Sequence, residues 1–307
     1  MTWFKSLGTG KKVALIGGIV LLLAIILGLG LGSEGKNDEY QPQNEFKLDP
    51  WLSLKIGGLD LSLNKAVLYL FLAAALTCIT MVYIAKRMQQ KPGNFQTAIE
   101  AAYDLTNNNI TRGNMDSGMA AKWFPFVATL FFFIWFSNLI GYLPLPTNSE
   151  ETFSLFGLDI PSFALYAATA NISVPLVLTL IVWISYHIEG VRTHGVRGYF
   201  ATFIPAGTPG GMRIPIFVIE VISHFVRIIS LSVRLFANIL AGHLLILFMA
   251  GGLSILLGIA ALGLVTTAAI AVPFYLFEVV LIATLQAFIF ATLTSIYLGG
   301  ATAAEGH

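Results

Sequence analysis

Residues 214–250, IPIFVIEVISHFVRIISLSVRLFANILAGHLLILFMA, set the fold class of this chain. They are apolar over far more than the roughly 20 residues that a helix needs to cross a bilayer, yet they carry a few charged and polar side chains. The rest of the chain has the same character, because 56% of its 307 residues are hydrophobic and only 11% are charged. A soluble domain carries about 25% charged residues. The sequence therefore predicts an all-α polytopic membrane protein.

Six apolar runs are long enough to form transmembrane helices. The long region after residue 214 divides into two helices that join near Gly251 and Gly252. The runs cover residues 13–33, 66–85, 123–149, 160–186, 214 to about 251, and from there to about 298. The last two helices are the long ones.

The distribution of charge between these runs predicts the orientation of the chain. Lysine and arginine are enriched in cytoplasmic loops. These basic residues precede the first run, follow the second and separate the fourth from the fifth. In the loop between the third and fourth runs, the charged residues are all acidic. The basic residues are Lys5, Lys11, Lys12, Lys86, Arg87, Lys91, Arg192, Arg197 and Arg213; the acidic ones are Glu150, Glu151 and Asp159. Both chain ends are therefore expected in the cytoplasm.

Three regions are predicted along the chain. Residues 1–33 form an N-terminal transmembrane extension, with a cleaved signal peptide as the alternative, since a basic start precedes the apolar stretch. Residues 34–65 form an external amphipathic segment, and 66–307 form the main membrane domain. Within that domain, 96–103 is predicted as a short interfacial helix followed by a polar turn, and 190–211 as a cytoplasmic loop.

Several function classes are excluded by composition and motif. A net charge of +1 gives no reason to expect a nucleic-acid partner, and the single cysteine, Cys78, lies in an apolar run and has no partner for an intrachain disulfide. Gly30, Gly32 and Gly35 match G-x-G-x-x-G, but no strand precedes them. The chain has no Walker A sequence. We expect neither a cofactor nor a metal.

The fifth run carries a polar stripe whose arrangement follows from helical geometry. At about 100° per residue, most of its polar side chains fall within roughly 40° of Arg234. His224 lies about 80° from Arg234, and His243 lies on the opposite side of the helix. The polar residues are Glu220, Ser223, His224, Arg227, Ser230, Arg234, Asn238 and His243.

Arg234 needs an explanation because a charge at mid-bilayer costs about 2.5–3.5 kcal/mol on insertion scales. Its candidate intramembrane partners in this chain are Glu220 and Glu278. A structural ion pair is one interpretation, and a functional partner on another chain is the favoured one. Arg227, nearer the cytoplasmic end, either belongs to the site or extends its charge to the interface. A guanidinium stays protonated at any relevant pH, so Arg234 is suited to holding a carboxylate ionised and not to relaying protons.

The segment Ser230–His243, SLSVRLFANILAGH, resembles the signature S-L-x-x-R-L-F-x-N-x-x-A-G of the subunit a family of F-type ATP synthases. Two further segments are similar to the family: 285–297, LQAFIFATLTSIY, and 129–144, TLFFFIWFSNLIGYLP. The resemblance implies that Arg234 is the essential arginine and that Asn238 is its neighbouring asparagine. Glu220 and Arg227 match upstream acidic and basic positions, and Gln286 matches the glutamine of the last helix.

This resemblance implies a non-catalytic subunit that carries protons through two offset half-channels to and from carboxylates on a ring of c subunits. The last two helices are then expected to form a tilted hairpin against that ring. The implied partners are the c-ring, the peripheral-stalk subunit b, other ATP synthase subunits and the bilayer. The expected location is a bacterial plasma membrane, with a mitochondrial inner or thylakoid membrane as alternatives. The competing interpretation is a secondary transporter or ion channel that uses Arg234 to hold its substrate.

The proton path implied by the resemblance includes His243 and Glu278 in the outer half-channel, where a histidine can titrate near neutral pH. The other residues expected on the path are Glu220, Ser223, His224, Arg227, Ser230, Asn238, Gln286 and Asn171. The chain departs from the family in three places, the first of which is the first span, an extension that many members lack. Asn171 stands where the family usually has an acidic residue, which leaves it a role as a polar lining. Glu278 lies eight residues before Gln286 instead of seven, so a regular helix would turn its side chain by about 100°. A direct contact between His243 and Glu278 therefore remains open.

Overall fold

The computed structural model describes residues 46–48, 50–53, 55–56, 59–60, 62–87, 89, 91–146, 152–155, 158–161, 163–205, 207–249 and 271–303. The predicted first span, 13–33, lies outside these residues, as does most of the predicted external segment. The chain divides into two compact units. The larger takes in residues from Leu48 to Leu240 and from Ile282 onward; the smaller takes in those up to Lys47 and from Ala241 to Leu281.

Five helical spans in the described part of the chain are long and apolar enough to cross a membrane, which confirms the all-α polytopic fold class. The first four are α1 Lys65–Arg87, α3 Ser117–Gly141, α4 Ser173–Ala201 and α5 Arg213–Leu247; a short helix, α2 Asn94–Asp104, precedes α3. The fifth span, Val272–Thr302, consists of α6 Val272–Phe277, a π-helical turn Glu278–Ile282 and α7 Ala283–Thr302.

Short antiparallel strand pairs lie outside the spans. The first is β1 Lys55–Ile56 with β2 Leu59–Asp60. Two more lie between α3 and α4: β3 Leu145–Pro146 pairs with β6 Phe163–Ala164, and β4 Thr152–Leu155 pairs with β5 Leu158–Pro161. These pairs connect helices and add no sheet layer to the fold.

The fourth span was predicted at the wrong position along the chain. The described residues of 160–172, predicted as its first half, form strand, a 3-10 turn at Ala168–Ala170 and irregular structure, and α4 runs instead from Ser173 to Ala201. The helix therefore extends into the segment predicted as a loop. It bends at Gly195, whose φ of +72° is readily adopted only by glycine.

The ends of the other helices are set by local chemistry. Asn64 Oδ1 accepts a hydrogen bond from Val67 N at 3.1 Å at the start of α1. The Asp116 carboxylate accepts from the amides of Gly118 and Met119 at the start of α3. Such caps satisfy amides that have no partner within the helix. Because Asp116 supplies the cap, α3 begins six residues before the predicted start at Trp123. The predicted helix at 96–103 is confirmed as α2, and the polar turn after it is a π-helix, Leu105–Thr111.

The core of the larger unit forms where α3 packs against α1 and α7, and α7 packs against α4. Ala283, Ala287 and Ala291 on α7 are each 0% exposed. Because lipid is as apolar as the side chains, membrane helices associate through close packing, and small residues one turn apart permit it. The larger side chains that fill this core include Phe131, Phe132, Ile134 and Phe290.

Among the described spans, α5 is the least covered by the rest of the chain. In the most apolar stretch of this span, 17% of the residues are buried, against 61% in the corresponding stretch of α3. A long membrane helix with so little of its surface covered has a broad face available to lipid or to another subunit.

Candidate functional site

Arg234 lies on the uncovered face of α5. Its neighbours one turn away along this face, Ser230, Ala237 and Asn238, are also exposed, as is Ala241 one turn further. Among the described residues, Arg234 forms no hydrogen bond or ion pair. A charged side chain that is costly to place in a membrane therefore points away from the described part of the chain.

Glu220, predicted as a possible partner of Arg234, pairs instead with two other residues of α5. Its Oε1 accepts a hydrogen bond from Nη2 of Arg227 at 3.2 Å and lies 3.7 Å from Nε2 of His224. The Arg227 guanidinium also lies over the Tyr297 ring, 5.1 Å from its centroid. Arg227 is therefore held by a carboxylate and an aromatic ring, and it does not simply extend to the interface.

His224, which helical geometry puts about 80° from Arg234, faces into the protein. Its side chain is 9% exposed, and its Nδ1 lies 2.8 Å from the hydroxyl of Tyr186 on α4. The His187 ring meets it edge-on at 4.9 Å, and the Phe203 ring stacks on it at 4.6 Å. We call Glu220, His224, Arg227, Tyr186 and His187 the Glu220 cluster.

A cavity of about 370 Å³ opens beside the Glu220 cluster. Its walls come from the end of α4, from α5 and from the last turns of α7. The polar side chains on the wall are Tyr186, Tyr199, Thr202, Glu220, His224, Arg227 and Tyr297. A cavity of this size with several polar partners is large enough to hold water.

In the smaller unit, His243 and Glu278 are both buried, at 0% and 6% exposure. The Phe46 ring meets the His243 ring edge-on at 6.4 Å. The Glu278 carboxylate packs against the backbone of Gly242, where a Cβ would lie 2.5 Å from Oε2. The structure thus brings Glu278 to the residue that precedes His243.

The π-helical turn Glu278–Ile282 explains the extra residue between Glu278 and Gln286. A single π turn adds one residue to a helix without breaking it. The rotation of about 100° expected for a regular helix is therefore absorbed within the turn. Gln286 lies one turn beyond it and is buried.

A second buried polar group joins α3 to α7 in the larger unit. Trp135 Nε1 donates to Thr284 Oγ1 at 3.0 Å, and Asn138 Nδ2 donates to the Ala283 carbonyl at 3.4 Å. Asn138 Oδ1 accepts from Thr169 Oγ1 at 2.7 Å. Beside them, the buried hydroxyl of Ser137 has no hydrogen-bond partner among the described residues. An unsatisfied hydroxyl in such a place is a ready site for water.

Asn171 does not join this polar group through any hydrogen bond in the described structure. Its Oδ1 accepts from the Ser173 amide at 3.0 Å and so starts α4. Nearby, the Lys65 ammonium lies over the Tyr166 ring, 5.2 Å from the centroid. Burial raises the pKa of the Tyr166 phenol, which therefore stays neutral.

The sequence prediction missed several residues of these groups. Tyr186 and His187 come together with His224 only through packing of α4 on α5, and their sole sequence signal is a pair of polar aromatic residues near the end of an apolar run. Asn138 and Thr169 fall inside segments that resemble the family but were not singled out. No cluster of three or more metal-binding side chains occurs among the residues that the structure describes.

The fold and these groups define a class: a polytopic membrane protein with buried acidic, imidazole and amide groups along its last two long spans. The arginine on its least covered helix forms no ion pair with the residues that the structure describes. The family model for the ATP synthase A chain matches residues 67–299. The chain belongs to this family.

Curated relatives agree with the family match. An ATP synthase subunit a from Rubrobacter xylanophilus is 34% identical over 256 residues, covering 83% of this chain and 90% of the relative. One from Bradyrhizobium diazoefficiens is 34% identical over 265 residues, covering 85% and 96%, and one from Parvibaculum lavamentivorans is 31% identical over 274 residues, covering 88% and 96%. Family membership supports a role in proton translocation by the membrane sector of an ATP synthase, and it favours this role over that of a secondary transporter.

Proposed function

We propose that the chain carries protons through two offset half-channels to and from the carboxylates of a c-ring, and that α5 is the helix that faces the ring. The observation that carries this proposal is the position of Arg234: it is exposed, it forms no ion pair among the described residues, and it lies on the least covered span. A ring carboxylate is the partner of opposite charge that such a position requires.

Arg234 acts electrostatically in this proposal. Its guanidinium cannot give up its proton at any relevant pH, so protons do not pass through it. A ring carboxylate that comes close to it is stabilised in the ionised form and releases its proton to one half-channel. The same positive charge repels protons that would otherwise cross directly between the half-channels. Asn238, one turn along the same face, supplies a polar contact for the carboxylate.

The cytoplasmic half-channel is proposed to run through the cavity beside the Glu220 cluster. Glu220, His224 and Arg227 of α5 line this cavity. Ser223 and Ser230 lie on the same side of α5 as Arg234 and continue the polar path from the cavity toward it. The positive-inside orientation puts this end of α5 in the cytoplasm.

The outer half-channel is proposed to use His243 and Glu278, both buried in the smaller unit, as its titratable groups. An imidazole and a carboxylate are side chains that can take up and release a proton. In the larger unit, Gln286 and Asn171 are proposed as polar groups of the proton path, and the buried Asn138 and Thr169 pair offers hydrogen-bonding groups of the kind that can hold water.

The proposed partners follow from this arrangement: the c-ring at α5, subunit b and the other subunits of the complex, and a bacterial plasma membrane around them. The chain would not catalyse ATP synthesis itself. It would convert proton flow into rotation of the ring, which drives catalysis on the soluble subunits.

Cysteine cross-linking tests whether α5 faces the ring. In a chain with Cys78→Ser, we would introduce Ala237→Cys, beside Arg234, and as a matched control Leu180→Cys, an exposed residue of α4. With cysteines placed along the ring helix that carries the carboxylate, oxidation should join position 237 to the c subunit and leave position 180 unlinked. Equal cross-linking at both positions, or none at 237 in an assembled complex, would contradict the proposal.

A further inference from the structure

Two positively charged or chargeable groups compete for one carboxylate oxygen in the Glu220 cluster. Glu220 Oε1 receives the Arg227 guanidinium at 3.2 Å and faces His224 Nε2 at 3.7 Å. Arg227 is permanently charged, whereas a histidine gains and loses its proton near neutral pH. The Glu220 carboxylate is therefore already paired with a cation, Arg227. The His224 imidazole is the neighbouring group that can still bind a proton.

The ring of His224 is held in one orientation. The Tyr186 hydroxyl lies 2.8 Å from Nδ1, and the Phe203 ring covers one face of the imidazole. The other ring nitrogen, Nε2, faces Glu220 Oε1 at 3.7 Å, so a proton bound there lies beside the carboxylate. Because His224 also lines the cavity, this is the nitrogen that is able to exchange a proton with cavity water.

His187 lies beside this ring without sharing its exposure to the cavity. Its Nδ1 lies 2.8 Å from the Trp183 carbonyl, to which it donates, since a carbonyl can only accept. Its ring is 4.9 Å from that of His224. Two imidazolium ions at this separation repel each other, so a proton on one disfavours a proton on the other.

We propose that His224 is the proton-carrying group of the Glu220 cluster, with Glu220 as its counter-ion and with Tyr186 and His187 as positioning residues. This inference rests on the proposed function and assigns a carrier to its cytoplasmic half-channel. When the complex makes ATP, a proton released from the ring binds Nε2 and forms an imidazolium beside the Glu220 carboxylate. The Nε2–H bond then breaks, the proton passes to cavity water, and the lone pair returns to Nε2.

Charged and titratable groups face His224 from three helices. Arg227 and Glu220 come from α5 itself, Tyr186, His187 and Tyr199 from α4, and Tyr297 from α7. Arg227 opposes protonation of His224, and Glu220 favours it. Beside this permanent cation and this carboxylate, His224 and His187 are the two imidazoles of the set, and an imidazole is the kind of side chain that can take up and release a proton.

The test is ATP-driven proton pumping by the whole complex in vesicles whose soluble head faces outward, with the external pH varied from 5.5 to 8.5 and the rate expressed per assembled complex. Pumping draws protons from the external side through the cavity, so the wild-type rate should fall as the pH rises and His224 takes up a proton less often. His224→Gln should lower the rate roughly tenfold or more and flatten this dependence. His194→Gln, a matched change on α4 outside the cluster, should leave the profile unchanged.

A second variant covers the case in which His224→Gln does not assemble. Tyr186→Phe keeps the ring and removes only the hydrogen bond to Nδ1, so it should shift the midpoint of the profile by about half a pH unit or more. A wild-type profile in an assembled His224→Gln complex, or in Tyr186→Phe if the former does not assemble, would overturn the inference. Arg234→Ala distinguishes failure of this inference from failure of the proposed function. If Arg234→Ala stops pumping while His224→Gln behaves as wild type, the proposed function stands and the inference fails.

Discussion

Arg227 and Glu220 are bound to each other along α5 by a hydrogen bond of 3.2 Å between Nη2 and Oε1. Seven residues beyond Arg227 on the same face, Arg234 has no such partner among the described residues. Two arginines of one helix stripe thus have opposite environments. The first is neutralised within the chain, and the second is available to a charge from outside it.

Replacing Arg227 should impair proton flow more than assembly. Its side chain is 31% exposed and that of Glu220 is 36% exposed, and ion pairs this accessible contribute about 0.2–1 kcal/mol to stability. Arg227→Gln should therefore assemble but pump protons several-fold more slowly, because the cavity loses its permanent cation. Arg227→Lys keeps the charge and should retain most of the activity. Wild-type pumping by the glutamine variant would show that the charge is dispensable.

Adding a single methyl group at Gly242 should disable Glu278. A Cβ at this position would lie 2.5 Å from Oε2 of Glu278, so Gly242→Ala must displace the carboxylate. We expect a large loss of ATP-driven pumping in an assembled complex. Gly93→Ala, at the residue before α2 with open space around it, is the control and should pump normally. Glu278→Asp, a shorter carboxylate, should partly rescue Gly242→Ala; failure of this rescue would place the damage elsewhere.

Deleting Val280 should be tolerated because it lies in the π-helical turn Glu278–Ile282. Removing one residue there lets the turn close as an α-helix, with seven residues from Glu278 to Gln286 and both faces unchanged. Deleting Ile289 in the regular helix α7 should instead rotate everything on one side of it by about 100° and abolish pumping. Equal damage by the two deletions, measured as pumping per assembled complex, would mean that the turn does not absorb the extra residue.

Lys122 on α3 should matter for stability because it pairs with the buried carboxylate of Glu189 on α4. Glu189 is 4% exposed, and Arg192 is the only other cation near it among the described residues, at 4.0 Å. Lys122→Met should lower the free energy of unfolding by about 1–3 kcal/mol, measured by denaturation of the purified complex in detergent. Arg192→Met, which removes a mostly exposed partner, should cost less than about 1 kcal/mol. The opposite ranking would contradict this assignment.

Hydrophobic runs were sufficient to predict the helical class and most of the spans. They failed at residues 160–172, which are apolar enough for a membrane but form strand and loop, and at the end of α4, which stays helical through charged sequence as far as Ala201. In the first place, strand pairing of Phe163 and Ala164 with β3 replaces the expected helix. Helix periodicity alone placed Arg234 and His243 on opposite sides of α5, and the structure agrees: Arg234 is exposed and His243 is buried.

Helix periodicity could not predict contacts between residues that are far apart in the sequence. Tyr186 and His224 lie 38 residues apart in the chain, and no pattern in either helix indicates that they meet. The π turn shows a different limit. The spacing of Glu278 and Gln286 was read correctly, but the assumption of 3.6 residues per turn led to a rotation that the structure does not require. The roles of Arg234, His243, Glu278 and the other path residues stay predictions.

The most direct test of the central claim, that Arg234 faces the ring and separates the two half-channels, is proton transport by the complex with Arg234→Ala in vesicles. ATP-driven acidification and passive proton leak would be recorded on the same preparation, with assembly verified by subunit content. We predict that pumping is lost while assembly is retained, and that the passive leak rises because the electrostatic barrier is gone. Normal pumping by the assembled variant would contradict the account and leave the arginine as part of a structural polar surface on α5.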